Sequence, residues 1–596
     1  MNPRTVFQLL DEAAAQHGQA VALYQPQQSE GRGKYKTYTW VEYRDAALEI
    51  AAGLRSLGLN KGDVIALDSE TRAEFYLADL GILASGAISA ALYSSYPPRD
   101  LLKTIEACDA KALFVEDPKT FEALKSAPVE QFFLLTGQAD GAMSLDQLCK
   151  RGQEVLGMNP GMAARITSET SSSDDAILYL TSGATGEPKM AMVAHAAIVA
   201  NLDMGPAALP IGPEDRTVAW LPSAHIAQRI AIELLPIRTG TPVYFAESLM
   251  KLPQEIKSAR PTFFLAPPRM WERVYTTMCT DIRKRPAIAQ RIFWGALALA
   301  LKASELRQAG KPVPAYIAGP LKLADRVVFR QIRERFGGAL KMPVSGAAPL
   351  GKDLAAFYDA IGMPLIEGYG LTEGGIVTLN PIDKPKVGSI GKPLAGVKIA
   401  IADDGELLLV SPTVFSRYYK DPHTTAEVMR TGVLHTGDVA RIDNDGFIFI
   451  TGRKKEMIVS STGKKVFPSR VEDLFKVEPL INQILLIGDR LPYLTALFTL
   501  NPAVAETLKG MDDGKGKSLA EMASAAPVQD EVKRVVRRIN KNLAPFEQIR
   551  KFRILERDLT IEQGELTATM KVRRDRVLQN FRKEIEELYA GHEDGM

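Results

Sequence analysis

Cysteine and histidine are scarce in this 596-residue sequence. The three cysteines, Cys108, Cys149 and Cys279, lie far apart in the chain, which argues against a disulfide framework and against a C-x-x-C metal site. The six histidines show no H-x-x-x-H spacing, so we expect no zinc site. So little cysteine fits a reducing, cytoplasmic environment.

Long apolar runs and an excess of one charge are also absent. The longest apolar stretch, residues 80–93, is too short and too interrupted by glycine to span a bilayer. The start, "MNPRTVFQLLDEAAAQHG", reads as an amphipathic helix with acidic residues rather than a signal peptide. Lys and Arg number 73 and Asp and Glu 71, a net charge of +2. This near-balance excludes a global basic field, and we expect no nucleic-acid partner.

The length and the order of patterns predict a multidomain α/β protein. A single core stops growing at about 250–300 residues, so two or more domains are expected. Strand-like and helix-like segments alternate up to about residue 385, which favours parallel α/β sheets. Turns such as "DDG" and "NDG" then suggest β-hairpins in a β-rich subdomain, and a small α+β segment follows Arg453.

The stretch 283–337 is different, because it starts basic and then becomes strongly apolar. The simpler interpretation is a pair of helices packed on the core. The alternative is a basic and apolar surface, centred on residues 283–310, that meets the inner face of a membrane where a lipid substrate arrives.

A glycine- and hydroxyl-rich loop lies in "YLTSGATGEPKMAMVAH", residues 179–195. Glycines let backbone N–H groups converge on phosphate, hydroxyls add donors, and a following helix N-terminus would add positive charge. The spacing of Gly183, Gly186 and Lys189 does not match the G-x-x-x-x-G-K-[ST] loop of P-loop NTPases, which excludes that class.

A second segment, "VSGAAPLGKDLAAFYDAIGMPLIEGYGLTEGG", places aromatic and acidic groups between glycines. A strand is expected to end at Ser345, where a small-residue loop would let a flat ring approach the backbone. Tyr369 could stack on a base, and Glu373 beside phosphates could hold Mg²⁺, which needs only one or two protein carboxylates. The alternative is a polar turn between a helix and a strand.

Two further segments carry charged groups near turns. Asp438, in a predicted tight T-G-D turn of "LHTGD", could accept from two ribose hydroxyls, and Arg453 in "TGRKKE" could reach a phosphate with its fork. Lys571 in "GELTATMKVRR" lies in a loop-like run before a C-terminal helix. Taken alone, each of these charges is also explained by a solvated surface.

Together and in this order, these motifs resemble the adenylate-forming superfamily of acyl-CoA ligases, adenylation domains and luciferases. The resemblance covers nearly the whole chain, and "AWLPSAHIAQRI" looks like the family's histidine-bearing motif. The stretches "LPSAHIAQR", "PTFFLAPPRMWERVY" and "GELTATMKVRR", with the long 283–337 insertion, are similar to the long-chain fatty acyl-CoA ligase branch.

The resemblance implies ATP-dependent activation of a long-chain fatty acid to acyl-AMP, then transfer of the acyl group to coenzyme A, with Mg²⁺ as cofactor. It implies a domain for ATP and acyl substrate at 1–453 and a mobile lid domain at 454–596, with a hinge at Lys455. The implied catalytic residues are Lys571, Thr372, Glu373 (also the metal ligand) and His225. The implied residues for nucleotide and coenzyme A are Thr181, Ser182, Gly183, Thr185, Gly186, Lys189, Gly346, Ala347, Ala348, Glu367, Gly368, Tyr369, Gly370, Asp438, Arg453, Gly463 and Lys464.

Three positions depart from the family's pattern. Ala184 stands where the family usually has Thr or Ser, and Met190 replaces the usual glycine after the lysine. Arg229 stands four residues after His225, where some bacterial long-chain ligases have a gating tryptophan. Two alternatives therefore stay open: an acyl-AMP ligase that passes the acyl group to a carrier protein or another acceptor, and a non-catalytic homologue that binds lipid or nucleotide.

Overall fold

The computed structural model describes residues 4–27, 34–181, 189–508, 510–511, 517–567 and 570–590. Its largest sheet has eight strands, and the strand that leads into the phosphate loop is one of them. The central strands are parallel and nearly all apolar because both faces of this sheet are covered. In spatial order the strands are Arg417–Tyr418, Lys189–Ala194, Asp175–Thr181, Ile88–Ala91, Val64–Asp68, Ala110–Val115, Gln131–Leu134 and Met143–Ser144.

Two further sheets complete the α/β part of the chain. The first carries the segments predicted to surround adenine, in the order Phe263–Ala266, Met342–Ser345, Ile366–Leu371, Gly375–Leu379 and Lys392–Pro393. The second has the order Thr217–Ala219, Val243–Phe245, Val21–Pro26 and Tyr35–Thr39. All three sheets mix parallel and antiparallel pairs, so the expectation of parallel sheets is corrected: hairpin returns such as Ile366–Leu371 with Gly375–Leu379 add antiparallel strands.

The predicted β-rich subdomain is a five-stranded antiparallel sheet. It has the strand order Lys398–Ile401, Glu406–Val410, Val433–Ile442 and Met429–Arg430, and Ile448–Arg453 also pairs with Val433–Ile442. The "DDG" and "NDG" turns join neighbouring antiparallel strands here, as predicted.

The last part of the chain is a small α+β unit with its own core. It contains a two-stranded sheet, Ile458–Val459 with Lys465–Val466, and a three-stranded sheet in the order Ile481–Ile487, Leu494–Leu500 and Ile549–Ile554. Two buried clusters lie within residues 458–589 and contain no buried residue from earlier in the chain. The predicted fold class is therefore confirmed.

Helices cover the faces of these sheets. Those up to residue 428 are Val6–His17, Trp40–Ser56, Ala73–Ala84, Pro98–Ala107, Pro118–Leu124, Leu145–Met158, Met162–Glu169, His195–Ala208, Ile226–Gln228, Leu235–Thr239, Leu252–Ala259, Pro268–Arg283, Ala287–Gln308, Ala315–Ala324, Arg330–Arg333, Lys352–Ala360 and Pro422–Val428. Those that follow are Pro468–Glu472, Pro502–Ala505, Leu519–Ser524, Ala526–Asn540, Arg574–Asn580 and Arg582–Tyr589. Arg229–Leu234 and Asp325–Phe329 are π-helical, and Glu334–Phe336, Lys454–Glu456 and Asp473–Phe475 are 3₁₀-helical.

Local sequence explains where several helices begin. The helix Trp40–Ser56 starts with a capping box, in which the Thr39 hydroxyl accepts from the Glu42 backbone N–H and the Glu42 carboxylate accepts from the Thr39 N–H.

The segment 283–337 forms the predicted helix pair, Ala287–Gln308 and Ala315–Ala324. Among the described residues, no helix combines the length and the apolar character that crossing a membrane would need.

Candidate active site

One large cleft, with a volume of about 4180 Å³, is lined by both the α/β part and the C-terminal unit. Most of the predicted site residues contribute to its walls, although they come from positions almost 400 residues apart. The predicted residues that line it are Thr181, Lys189, His225, Ala347, Ala348, Glu367, Gly368, Tyr369, Gly370, Thr372, Glu373, Asp438, Arg453, Lys455 and Lys571. Ser182, Gly183, Thr185 and Gly186, with Ala184, lie outside the described residues.

The segment predicted to bind phosphate lies between two antiparallel strands of the eight-stranded sheet. Thr181 ends the first strand and Lys189 begins the second, and the two residues pair with each other. The next helix starts only at His195, at the far end of the second strand, so a helix N-terminus directly after the loop is not found. Lys189, at the start of the second strand, brings a positive charge to this part of the cleft.

Glu373 lies beside a tyrosine that the sequence analysis did not single out. The Tyr418 hydroxyl donates to Glu373 Oε1 at 2.5 Å, and the Lys189 Nζ lies 4.9 Å from the centre of the Tyr418 ring. Tyr418 is on the edge strand that pairs with the strand after the phosphate loop. This strand pairing brings Glu373 and Lys189 close together. The proximity of the two residues follows from the tertiary fold and is not visible in the sequence.

The surroundings of Glu373 fit a magnesium ion brought by ATP. No group of three or more His, Cys, Asp or Glu side chains that could hold a metal exists among the described residues. A single cleft carboxylate beside phosphates is nevertheless sufficient for Mg²⁺, which keeps several waters and takes its other oxygens from the nucleotide.

Tyr369, Asp438 and Arg453 form a hydrogen-bonded row. The Tyr369 hydroxyl donates to Asp438 Oδ2 at 2.5 Å, and Arg453 Nε donates to Asp438 Oδ1 at 2.8 Å. The predicted tight turn at Asp438 is wrong: the residue lies inside the strand Val433–Ile442 and is opposite Arg453 on the neighbouring strand. Gly437, with φ 72°, bends this strand so that Asp438 reaches the cleft.

The loop after Met342–Ser345 has a strained backbone. Ala347 adopts φ 69°, a conformation that costs a residue with Cβ about 1–2 kcal/mol. Ala347 and Ala348 line the cleft, and Gly346 lies between Ala347 and the lining residue Ser345. On the strand Ile366–Leu371, a Cβ on Gly370 would come within 2.5 Å of the carbonyl oxygen of Gly375 on the paired strand, so position 370 accepts only glycine. The requirement for glycine at position 370 thus comes from packing against the neighbouring strand, and the adenine role of this loop stays a prediction.

Lys571 lines the cleft next to an antiparallel bridge of the C-terminal unit. The Thr567 backbone N–H donates to the Lys571 carbonyl oxygen at 2.9 Å, and Leu566 bridges to Val572. The surrounding protein and then the Arg453 charge lower the pKa of the Lys571 ammonium to about 8, despite attraction from Asp438 and Glu456. Lys571 is therefore charged at neutral pH and loses that charge just above it.

His225 lies within electrostatic range of Lys571. Its Nδ1 accepts from the Ala227 backbone N–H at 3.1 Å, so the neutral ring carries its proton on Nε2. Burial, followed by the Lys571 charge, lowers the pKa of His225 to about 3. His225 is thus a neutral hydrogen-bond donor at physiological pH.

Contacts between the C-terminal unit and the α/β part close one side of the cleft. Arg269 donates to the Asn482 carbonyl oxygen and to Asn482 Oδ1, both at 2.6 Å, and Lys476 Nζ donates to the Pro349 carbonyl oxygen at 2.8 Å. Burial, with further repulsion from Asp473, raises the pKa of Glu367 to about 8. The sequence analysis missed Arg269, Lys476 and Asn482 because nothing in their local pattern predicts an interdomain contact.

Like Gly346, the predicted residues Gly463 and Lys464 do not line the cleft. They lie in the turn between Ile458–Val459 and Lys465–Val466, where Lys464 Nζ is 5.9 Å from the centre of the Phe546 ring. Gly463 has φ 76° and open space around its missing Cβ.

Behind His225, Arg229 is buried in the protein interior. Its Nε donates to Asp79 Oδ2 at 3.2 Å and its Nη2 to the Ser89 hydroxyl at 2.7 Å. Asp79 and Glu233 are also buried, and neither oxygen of Glu233 has a hydrogen-bond partner among the described residues. Burial and repulsion from Asp79 raise the pKa of Glu233 well above its usual range. Arg229 is therefore held by an ion pair, away from the cleft lining.

Comparisons with known proteins agree with this geometry. The profile of the family described as AMP-binding enzyme matches residues 10–419, and that described as AMP-binding enzyme C-terminal domain matches residues 455–593. The chain belongs to the AMP-binding enzyme family. The predicted membership of the adenylate-forming superfamily is thereby confirmed.

Curated relatives of this AMP-binding enzyme align over almost its whole length. The chain is 34% identical to the long-chain-fatty-acid–CoA ligase FadD15 of Mycobacterium tuberculosis over 565 residues, covering 94% of this chain and 93% of the relative. It is 27% identical to the long-chain-fatty-acid–CoA ligase ACSBG2 of Rattus norvegicus over 635 residues, covering 99% and 93%.

Solved structures support the fold. The adenylation domain of a carboxylate reductase from Mycobacterium chelonae matches with a TM-score of 0.75 at 22% identity, covering 99% of this chain and 92% of that chain. The anthranilate CoA ligase AuaEII, solved in complex with anthranoyl-AMP, matches with a TM-score of 0.72 at 19% identity, covering 97% of each chain.

Proposed function

We propose that this AMP-binding enzyme is a long-chain fatty acid–CoA ligase that forms AMP. The observation that carries the proposal is the presence of Lys571 in one cleft with Glu373, Asp438 and Arg453. A lysine beside the phosphate-facing groups serves adenylation and is not needed for nucleotide binding alone. The names of the curated relatives support the long-chain substrate class.

In the first half-reaction, an oxygen of the fatty carboxylate attacks the α-phosphorus of ATP. The bond to the bridging oxygen breaks, and pyrophosphate leaves with the electron pair. The charged Lys571 would bridge the attacking carboxylate and the α-phosphate, with Thr372 as a further donor. Preorganised charge of this kind stabilises the transition state without a protein nucleophile.

The same cleft would hold the rest of the nucleotide. Tyr369 and the Gly346–Ala348 loop would enclose adenine, between Gly368 and Gly370. Asp438 would accept from the ribose hydroxyls, and Arg453 would bind ribose or phosphate. Thr181, Lys189 and the loop between them would hold the β- and γ-phosphates. Glu373 would hold Mg²⁺, which neutralises phosphate charge when bound.

In the second half-reaction, the thiol of coenzyme A attacks the acyl carbon and AMP leaves. We propose that residues 454–596 rotate about Lys455 between the two half-reactions, which withdraws Lys571 and brings the turn at Gly463 and Lys464 to the cleft. The absence of side-chain atoms at Gly463 would let the backbone approach the pantetheine arm. The position of this turn away from the cleft is consistent with the adenylation arrangement.

The test is product analysis with Mg·ATP and a series of carboxylic acids from acetate to stearate, each with and without coenzyme A. The proposal predicts acyl-CoA and AMP in equal amounts, with a maximum at long chains. Pyrophosphate and acyl-AMP without thioester would instead support the acyl-AMP ligase. No ATP turnover with any acid would support a non-catalytic homologue. Ala184→Thr and Met190→Gly, which restore the usual residues of the family, would then be the first variants to test.

A further inference from the structure

The helices Ala287–Gln308 and Ala315–Ala324 follow the cleft-lining helix Pro268–Arg283. They expose an unusual number of large apolar side chains. Of sixteen exposed large hydrophobic residues among the described residues, eight lie within residues 288–327. They are Ile288, Ile292, Trp294, Leu299, Leu301, Tyr316, Leu323 and Val327. Single exposed apolar residues are normal, but such a concentration marks an interaction site.

The first helix, Ala287–Gln308, is apolar on both of its faces. Phe293, Leu297 and Ala300 point into the protein and are buried, so they account for its attachment to the core. Ile288 and Ile292, on the outer face, are 72% and 56% exposed. A surface helix normally has a polar outer face. Packing on the core therefore explains the buried apolar residues of this helix but not the exposed ones.

The same surface continues on the next helical segment. Tyr316, Leu323 and Val327 recur at intervals of seven and four residues and are 77%, 65% and 52% exposed. Ala287–Gln308 and Ala315–Ala324 pack against each other, so their exposed apolar residues lie on adjoining surfaces. We call residues 283–335 the basic–apolar face.

The charge of this face is strongly positive. Residues 283–335 contain 12 Lys and Arg against 3 Asp and Glu, a net charge of +9, whereas the whole chain has +2. All three acids are paired with cations of the same stretch. Seven cations make no ion pair within the described part of the chain: Arg283, Lys284, Arg285, Arg291, Lys311, Lys322 and Arg326.

We propose that the basic–apolar face binds the surface of an anionic lipid bilayer. Apolar side chains would enter the boundary between headgroups and acyl chains, while the unpaired cations would meet lipid phosphates. A second copy of the chain is a poorer occupant, because a symmetric dimer through this face would bring its seven unpaired cations against the same seven.

The face is continuous with the cleft. The helix Pro268–Arg283 contributes residues from both ends to the cleft lining and leads directly into Ala287–Gln308. Leu249 and Met250, which are 67% and 91% exposed, also line the cleft. On the proposed function, a fatty acid would pass from the bilayer to the cleft along this side. Bilayer binding itself does not depend on that function.

The experiment is flotation of the full-length protein with vesicles of phosphatidylcholine alone and of phosphatidylcholine mixed with phosphatidylglycerol, without substrates. We expect binding to the mixed vesicles and loss of that binding at high salt. Equal binding to both vesicle types, or binding to neither, would overturn the proposal. Because no turnover is measured, the result is independent of ligase activity.

Charge variants test the location. Arg291→Glu, Lys322→Glu and Arg326→Glu combined should weaken partition to the mixed vesicles about a hundredfold or more, since each surface cation contributes about fivefold. The matched control reverses Lys533, Arg537 and Lys541, a basic patch on the C-terminal unit with no concentration of exposed apolar residues. Equal weakening by both sets would show general electrostatics and would contradict this face.

Apolar variants separate insertion from charge. Ile288→Asn with Leu323→Asn should weaken binding even at low salt, while Met158→Asn, a residue 85% exposed elsewhere, should not. Thermal unfolding of each variant verifies folding. If these variants abolish self-association measured by light scattering and leave vesicle binding intact, the face is a dimer interface and the bilayer proposal is wrong.

Discussion

Lys571 is the residue on which the two half-reactions can be separated. We expect Lys571→Ala to abolish acyl-AMP formation, because the positive charge between carboxylate and α-phosphate is lost. Thioester formation from supplied acyl-AMP should be largely preserved, since the proposed rotation would withdraw Lys571 from the cleft in that step. The measurement is pyrophosphate release and, separately, acyl-CoA formation from synthetic acyl-AMP. Equal loss in both assays would contradict the assigned role.

The lowered pKa of Lys571 predicts a pH dependence. Its ammonium has a pKa of about 8 in the free enzyme, so the reactive charged form disappears as pH rises through that value. We expect kcat/KM for adenylation to fall above about pH 8, and His225 to add no acidic limb because it stays neutral above about pH 3.

Lys571→Arg provides the control for this profile. Arginine keeps its charge to far higher pH, so the alkaline limb should vanish even if the rate is lower. A profile that keeps the same limb in Lys571→Arg would assign it to another group.

Glu373 is the residue on which Mg²⁺ dependence should rest. We expect Glu373→Ala to cripple ATP use and to raise the Mg²⁺ concentration needed for half-maximal adenylation. Tyr418→Phe removes only the hydroxyl that donates to Oε1 and should have a smaller effect of the same kind. The measurement is a Mg²⁺ titration of pyrophosphate release, and an unchanged titration in Glu373→Ala would count against the metal role.

At the scale of elements, the π-helix Arg229–Leu234 places a buried ion pair behind the cleft. Removing one partner leaves a charge uncompensated in the interior, so Asp79→Ala should lower the free energy of unfolding by roughly 3–5 kcal/mol. Denaturant unfolding measures it.

The double variant Asp79→Leu with Arg229→Met tests the electrostatic origin of that loss. It removes both charges and keeps apolar volume, so it should be much closer to the unchanged protein. If the double variant loses more than Asp79→Ala, packing rather than charge holds this element.

Several elements were correctly predicted from local pattern. The strand expected to end at Ser345 is Met342–Ser345, and the two helices expected within 283–337 are Ala287–Gln308 and Ala315–Ala324. The predicted turn at Asp438 was wrong because Gly437 bends the strand without ending it, and partner strands hold both sides in one ladder. The β-propensity of a local segment does not show which distant segment it pairs with.

For the whole molecule, domain closure should depend on Arg269. We expect Arg269→Ala to remove two hydrogen bonds to Asn482 and to weaken closure by about 2 kcal/mol, roughly a 30-fold shift. Adenylation should slow, while thioester formation from supplied acyl-AMP should not. Both half-reactions are measured as for Lys571.

Arg273→Ala is the matched control for closure. Arg273 lies on the same helix and lines the same cleft, and no hydrogen bond of its side chain occurs among the described residues. If Arg273→Ala slows adenylation as much as Arg269→Ala, the cause is charge in the cleft and not closure.

The order of motifs along the chain was enough to identify the family, because each motif is a short segment whose chemistry depends on residue type and spacing. It also predicted site residues, most of which line one cleft. The sequence does not predict that Tyr418 contacts Glu373 or that Asn482 contacts Arg269. Those contacts form between segments 45 and 213 residues apart, and only the packing of sheets and domains brings them together. The basic–apolar face shows the same division. Its composition is visible in the sequence, but which apolar side chains stay exposed is decided by which face the helix pair turns toward the core.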